Sequence, residues 1–215
     1  MTTPRVCRIM PVGDSITEGG DYFSSYRAPL GERLAAAGYA VAFVGSRTDG
    51  VLAHEGYSGK NAEFLAGVIG DSFRAQPADI VLLHAGHNHD VAEEPVAGIV
   101  AATEAIIATV RALNPKVIVL LAQVGLSGKL PKYAYLPQLN AALCALAERL
   151  CTPAQPIILV NHAANFAWTT DTVDDHVHPN AQGAEKMAAS WCAALTPLLE
   201  AWAVDAAAHI DRRQE

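Results

Sequence analysis

Five short apolar runs, each followed by a polar loop and then helical spacing, constrain this chain more than any other feature. They are "CRIMPVG" (residues 7–13), "YAVAFVG" (39–45), "DIVLLHAG" (79–86), "KVIVLLAQV" (116–124) and "PIILVNHA" (156–163). None alternates apolar with polar residues, so each predicts a strand covered on both faces, as in a parallel sheet. Helical patterns fill the gaps: "APLGERLAAAG" (28–38), a shorter one in "NAEFLAGVIG" (61–70), "AGIVAATEAIIATVRALN" (97–114) and "YAYLPQLNAALCALAERL" (133–150). A last helix starts just after Pro179 and runs towards Trp202. Gly38 and Asn114 fall where helix C-caps belong, and Pro115 and Pro156 mark strand entries. The alternation predicts a three-layer α/β/α sandwich with right-handed crossovers.

Length and charge narrow what such a sandwich can serve. The 215 residues suit one domain, 1–215, with no repeat or linker and a frayed tail from about residue 204. A formal charge of -7 argues against nucleic acid or an anionic membrane surface as partner and suits a small molecule. The start "MTTPRVCRIMPVG" has no long apolar segment with a small-residue cleavage site, and no unbroken apolar stretch reaches the roughly 18 residues of a membrane span. The expectation is therefore a soluble, cytoplasmic protein, or a secreted one if a signal has been removed. Cys7, Cys144, Cys151 and Cys192 show no metal-ligand spacing and are expected to be buried free thiols.

In open parallel sheets ligands bind beyond the C-terminal strand ends. Most of this chain's His and Asp residues lie in the loops that leave those ends. In "GDSITEGG", Ser15 is either a turn residue or a nucleophile, and alone the motif favours the turn. A nucleophilic serine needs a base, a group that orients the base, and oxyanion donors. In "DDHVHPN", Asp175 precedes His178 by three residues; such a carboxylate can hold one imidazole nitrogen while the other accepts the serine proton. "YSGK" supplies Gly59, whose backbone N–H can approach a ligand closely, and "GHN" supplies the Asn88 amide. Asp14 can brace either loop. Trp191, Trp202 and Met187 fit helix packing, whereas Trp168 precedes the His block and is a candidate for lining the pocket.

Ser15 in "GDSITEG", Gly59 in "HEGYSGK", Asn88 in "GHN" and the terminal "DxxHP" resemble the four blocks of the SGNH hydrolases, also called GDSL-type esterases and lipases. "RIMPVGDSITEG" with "YRAPLGERLAAAGYAVAFVGS" and "HEGYSG" is particularly similar to the acetylxylan-esterase-like branch. The resemblance implies a flavodoxin-like five-stranded parallel sheet and a carboxylic ester hydrolase acting through an acyl-serine intermediate. Short, acetyl-type esters of sugars or other polyhydroxy compounds are the implied substrates, with no cofactor and no metal. It makes Ser15 the nucleophile, His178 the base and Asp175 its orienting partner, with the Ser15 and Gly59 amides and the Asn88 side chain as the oxyanion hole.

The chain departs from the family in the third block, which usually reads GxND but here is Gly86-His87-Asn88-His89, with Asp90 displaced by one. Lys60 stands where many of the acetyl esterase branch carry Trp. Tyr57, Lys60, His87 and His89 are therefore expected to shape the pocket rim, and with Asp14 and Trp168 to contact substrate. Two other readings stay open: a longer-chain lipase or thioesterase on the same serine machinery, and a metal-dependent hydrolase built on His84, His87, His89, Asp90, Asp175, His176 and His178. A flavodoxin-like module that only binds ranks behind both. His176 is the one rival to His178 as base.

Overall fold

The computed structural model describes residues 6–48, 50 and 52–211. All five apolar runs form strands: β1 (Cys7–Gly13), β2 (Val41–Phe43), β5 (Ile80–His84), β6 (Ile118–Gln123) and β7 (Ile157–Asn161). Two short strands, β3 (Arg47–Thr48) and β4 (Ala53–Gly56), lie in a segment the sequence assigns to a loop. Neither has an apolar run to reveal it. β4 exists because Val12 and Gly13 of β1 pair with Glu55 and Gly56, while β2 takes the earlier half of the same edge against Cys7–Ile9. The principal order is β3-β4-β1-β5-β6-β7, parallel throughout except for β3 against β4.

Helices cover both faces. On one, α2 (Arg27–Ala36) and α7 (Ala181–Asp211) pack Leu30, Leu34, Trp191 and Leu195 against Ile9, Ile80, Leu82 and Leu120. On the other, α3 (Ala62–Ala75), α4 (Val96–Leu113) and α5 (Leu136–Leu150) bury Leu65, Ile106 and Leu139 against Met10, Val81, Leu83 and Val119. α3 runs past Gly70, where the sequence pattern stops, because Phe73 continues the stripe begun by Leu65 and Ile69. α7 likewise continues to Asp211 through an Ala-rich stretch read from sequence as frayed. Two four-residue helices, α1 (Ser15–Glu18) and α6 (Trp168–Asp171), cap the site end of the sheet.

Val96–Leu113 and Ala181–Val204 are each long and apolar enough by composition to cross a membrane, which a count of unbroken apolar residues misses. Both lay a stripe on the sheet, through Ile99, Ile106 and Val110 and through Met187, Trp191 and Leu195. The cysteines are free but not uniformly buried: only Cys7 is, and Cys151 is exposed at the C-cap of α5.

Candidate active site

Strand register places the motifs. Gly13, the last residue of β1, pairs with Gly56 of β4 and with His84 of β5, so the loops carrying Ser15, Gly59 and Asn88 leave three adjacent strands side by side. Asp14 turns the chain out of β1 by capping α1, its Oδ1 accepting the Ile16 amide at 3.0 Å. Ser15 thereby heads a helix packed against β1, and its side chain reaches across to the last loop.

That loop is folded back on itself. Thr172 bridges Pro179, the Val173 amide donates to the His178 carbonyl at 2.9 Å, and the buried Asp171 accepts Lys186 Nζ at 2.7 Å and the Ala167 amide at 2.7 Å. The Ser24 amide donates to the Pro179 carbonyl at 2.9 Å, tying the Ser15 loop to the His segment. The result is a continuous relay: Ser15 Oγ lies 2.8 Å from His178 Nε2, and His178 Nδ1 lies 2.5 Å from Asp175 Oδ2. Asp175 Oδ1 accepts the Val177 and His178 amides, each at 2.9 Å. Partial burial pushes the Asp175 carboxyl up, but the hydrogen bonds from the His178 ring and from these two amides outweigh it and hold the group below the usual carboxylate range. Phe23 stacks on the imidazole at 4.2 Å between centroids and 26° between planes.

Asn88 has φ of 69°, a left-handed conformation that Asn tolerates better than most residues. Its Nδ2 donates to the Lys60 carbonyl at 2.9 Å, which joins the Asn88 loop to the Gly59 loop and leaves the second amide hydrogen unused. The Ser15 and Gly59 amides have no protein acceptor among the described residues.

The substrate-contact expectations fare differently. His87 is 3% exposed and Asp14 1%, so both lie beneath the site rather than on its rim, with His87 Nδ1 3.8 Å from Asp14 Oδ2. The buried His87 ring packs between His84 and Tyr133. His89 is held between Glu93 at 2.8 Å and Glu63 at 3.0 Å; burial lowers its proton affinity, and the two carboxylates more than reverse that. Trp168 lies against Gly128 and edge-on to His176, 5.2 Å away. His176, the rival base, is exposed with φ of 58°, and its ring packs on Trp168. Tyr57 is half-buried with its hydroxyl donating to Glu55 at 2.8 Å; Lys60 is exposed with its ammonium over the Phe64 ring. Among the described residues no three His, Cys, Asp or Glu side chains are grouped to hold an ion.

Sequence reasoning misses two features. Arg27 donates to the Thr17 and Glu18 carbonyls and Arg47 to the Glu18 carboxylate, and of the three only Glu18 lies close to the GDS block in sequence. A file of buried rings also runs from His87 through His84 and His162 to Trp191, with centroids 6.2, 5.6 and 4.7 Å apart. Burial drives His84, His87 and His162 down to about 3, so all three are neutral at ordinary pH. A cleft of about 1020 Å³ opens beside the relay, lined by Glu18 and by Phe23, whose ring stacks on His178, but by neither Ser15 nor His178.

Residues 12–186 match the GDSL-like Lipase/Acylhydrolase family. No curated protein matches the chain. Among solved structures it is similar to a serine-to-alanine mutant of an acetyl esterase determined with an acetate ion, at 26% identity and TM-score 0.80, covering 91% of this chain and 99% of that one. It is equally similar, by the same four measures, to a carbohydrate esterase family 3 protein from Talaromyces cellulolyticus. A Clostridium thermocellum family 3 carbohydrate esterase matches at 26% identity and TM-score 0.79, covering 93% and 100% of the respective chains.

Proposed function

The chain belongs to the GDSL-like lipase/acylhydrolase family, and from that premise we propose that it hydrolyses short-chain, acetyl-type carboxylic esters of polyhydroxy compounds through an acyl-serine intermediate. The observation that carries the reading is the 2.8 Å approach of Ser15 Oγ to His178 Nε2, with Asp175 on the opposite ring nitrogen. The Asp175 carboxylate on the Nδ1 side favours the tautomer with its proton there, so Nε2 is the acceptor. Ser15 Oγ attacks the ester carbonyl as Nε2 takes its proton. The carbonyl oxygen gains charge opposite the Ser15 and Gly59 amides and the free hydrogen of Asn88 Nδ2. Collapse breaks the ester C–O bond, and His178 returns the proton to the departing alcohol. Water then attacks the acyl-serine by the same route, with His178 again as base.

Two observations support the substrate class. Similar structures bear the names acetyl esterase and carbohydrate esterase. The adjoining cleft is lined by Ser24, Ser25, Ser46, Thr48, Glu32 and Glu185, groups that hydrogen-bond hydroxyls. Rates on p-nitrophenyl esters from acetyl to dodecanoyl test the acyl preference: activity should fall as the chain lengthens, and a maximum at eight carbons or longer overturns it. Acetylated sugars assayed beside acetylated simple alcohols test the polyhydroxy preference.

A further inference from the structure

The geometry points to Glu18 as a positioning residue that fixes the direction of the Gly59 N–H; this rests on the reading of Ser15 as nucleophile and Gly59 as oxyanion donor. Glu18 ends α1, three residues after Ser15, and one oxygen of its carboxylate accepts the Ser58 amide across the gap between the two loops. The other oxygen accepts Arg47 Nη2. The Arg47 guanidinium in turn lies over the Tyr57 ring, 4.8 Å from its centroid.

The turn from Tyr57 to Lys60 is otherwise poorly held. Ser58, Gly59 and Lys60 are exposed, and Gly59 has φ of 72°, so the peptides around it have freedom to rotate. Its ends are fixed: the Tyr57 amide donates to the Gly13 carbonyl at 2.9 Å, the Lys60 amide to the Tyr57 carbonyl at 3.1 Å, and the Lys60 carbonyl accepts Asn88 Nδ2 at 2.9 Å. Glu18 fixes the middle. With the Ser58 amide engaged by Glu18, the Gly59 amide is the one left to face the nucleophile side.

Glu18 is itself rigidly seated. Its amide donates to the Asp14 carbonyl at 2.9 Å, and its carbonyl accepts Nη2 of the buried Arg27 at 2.6 Å. Gly56 packs so closely that a Cβ there would lie 2.5 Å from the Glu18 nitrogen. Arg47 also removes an electrostatic objection, because an unpaired carboxylate near the hole would repel the developing oxyanion, whereas the Glu18–Arg47 pair carries no net charge.

A partly exposed ion pair contributes little to stability, so the positioning role separates from a structural one in kinetics. Glu18→Ala should lower kcat about 10- to 100-fold, short of the full loss of a donor, with KM within about threefold, the melting temperature nearly unchanged, and affinity for a tetrahedral boronic acid adduct falling in parallel with kcat. Glu18→Gln keeps one oxygen for the Ser58 amide and should retain most of the rate. A kcat in Glu18→Ala within twofold of the parent overturns the inference. So does a Gln variant as impaired as the Ala variant, or boronate affinity that stays constant while kcat falls. If Glu18→Ala fails to fold, the Gln variant carries the test through its kcat and boronate affinity. Ser15→Ala is assayed in the same series: full activity there would remove the serine reading itself, independently of what Glu18 does.

Discussion

Asp14 and His87 face each other in the floor beneath the nucleophile, Oδ2 to Nδ1 at 3.8 Å, and both are buried. Burial pushes the Asp14 carboxyl up to about 6, against the opposing pull of the Ile16 amide, His178 and the His87 amide. Asp14 and His178 attract each other: when the imidazole becomes a cation in the proposed transition state, an ionised Asp14 stabilises it. Asp14→Asn keeps the cap oxygen for Ile16 but loses that charge. It should lower kcat/KM about 3- to 10-fold at pH 8, a cost near 1 kcal/mol, with a smaller deficit at pH 5, where the parent's Asp14 is already protonated. Parallel pH–rate profiles for the two proteins, separated by a constant factor from pH 5 to 8, would contradict this.

Stability should collapse in acid, and the three buried histidines set the window. Each is depressed to about 3 in the fold against 6.5 for an exposed imidazole. Their contribution is therefore present above about 6.5 and is lost as pH falls towards 3, at up to about 1.4 kcal/mol per pH unit for each. Asp14 works the other way between 3.8 and about 6, because its carboxyl is raised in the fold and its contribution is lost as pH rises. The net slope between pH 6 and 4 is about 3 kcal/mol per unit, about 6 kcal/mol over the two units, comparable with the lower end of ordinary domain stability. Urea titrations at half-unit steps measure it. His84→Leu should flatten the slope by about half and cost little at pH 7.5, because neither His84 ring nitrogen has a hydrogen-bond partner to lose.

The strands were legible because continuous apolar runs have few other uses in a chain of this size. The blocks were legible because strand-end loops must be adjacent in a parallel sheet. What stayed hidden depends on side-chain direction. His87 and His89 flank Asn88 and differ in nothing the sequence displays, yet one turns into the buried floor beside Asp14 and the other out between Glu63 and Glu93. β4 was missed for a related reason: "AHEG" becomes a strand through its neighbours on β1, not through its own pattern. Glu18 carries no signal of its own in the sequence, since its partners Arg47 and Ser58 lie 29 and 40 residues away.

Ser15→Ala and His178→Ala should each lower kcat by about 10⁴-fold or more with the melting temperature unchanged, and the double variant should be little worse than either, because the relay acts as a unit. His176→Ala should keep most of the activity, since its ring packs on Trp168 and makes no contact with Ser15. Single-turnover assays on an acetyl ester resolve these cases, and a His176 variant as impaired as His178→Ala would refute the assignment of the base.

Asn88 is the most exposed assignment, because the proposed mechanism asks it to serve two structures at once. One hydrogen of Nδ2 holds the Lys60 carbonyl, and the other is free for the oxyanion. Asn88→Ala removes both and leaves a β-carbon residue at φ of 69°, so kcat should fall about 10² to 10³-fold, with some loss of stability from the strained backbone. Asn88→Gly separates the effects: it accepts the left-handed conformation without strain, should recover the melting temperature, and should not recover kcat. Asn88→Asp should be at least as slow as Ala, since a carboxylate would face the oxyanion. Neither neighbouring histidine is placed to substitute, with His87 buried against Asp14 and His89 bound to two glutamates. Steady-state kinetics on Asn88→Ala, His87→Ala and His89→Ala decide the matter: near-normal kcat in the Asn88 variant beside a hundredfold loss in either histidine variant would move the donor role off Asn88.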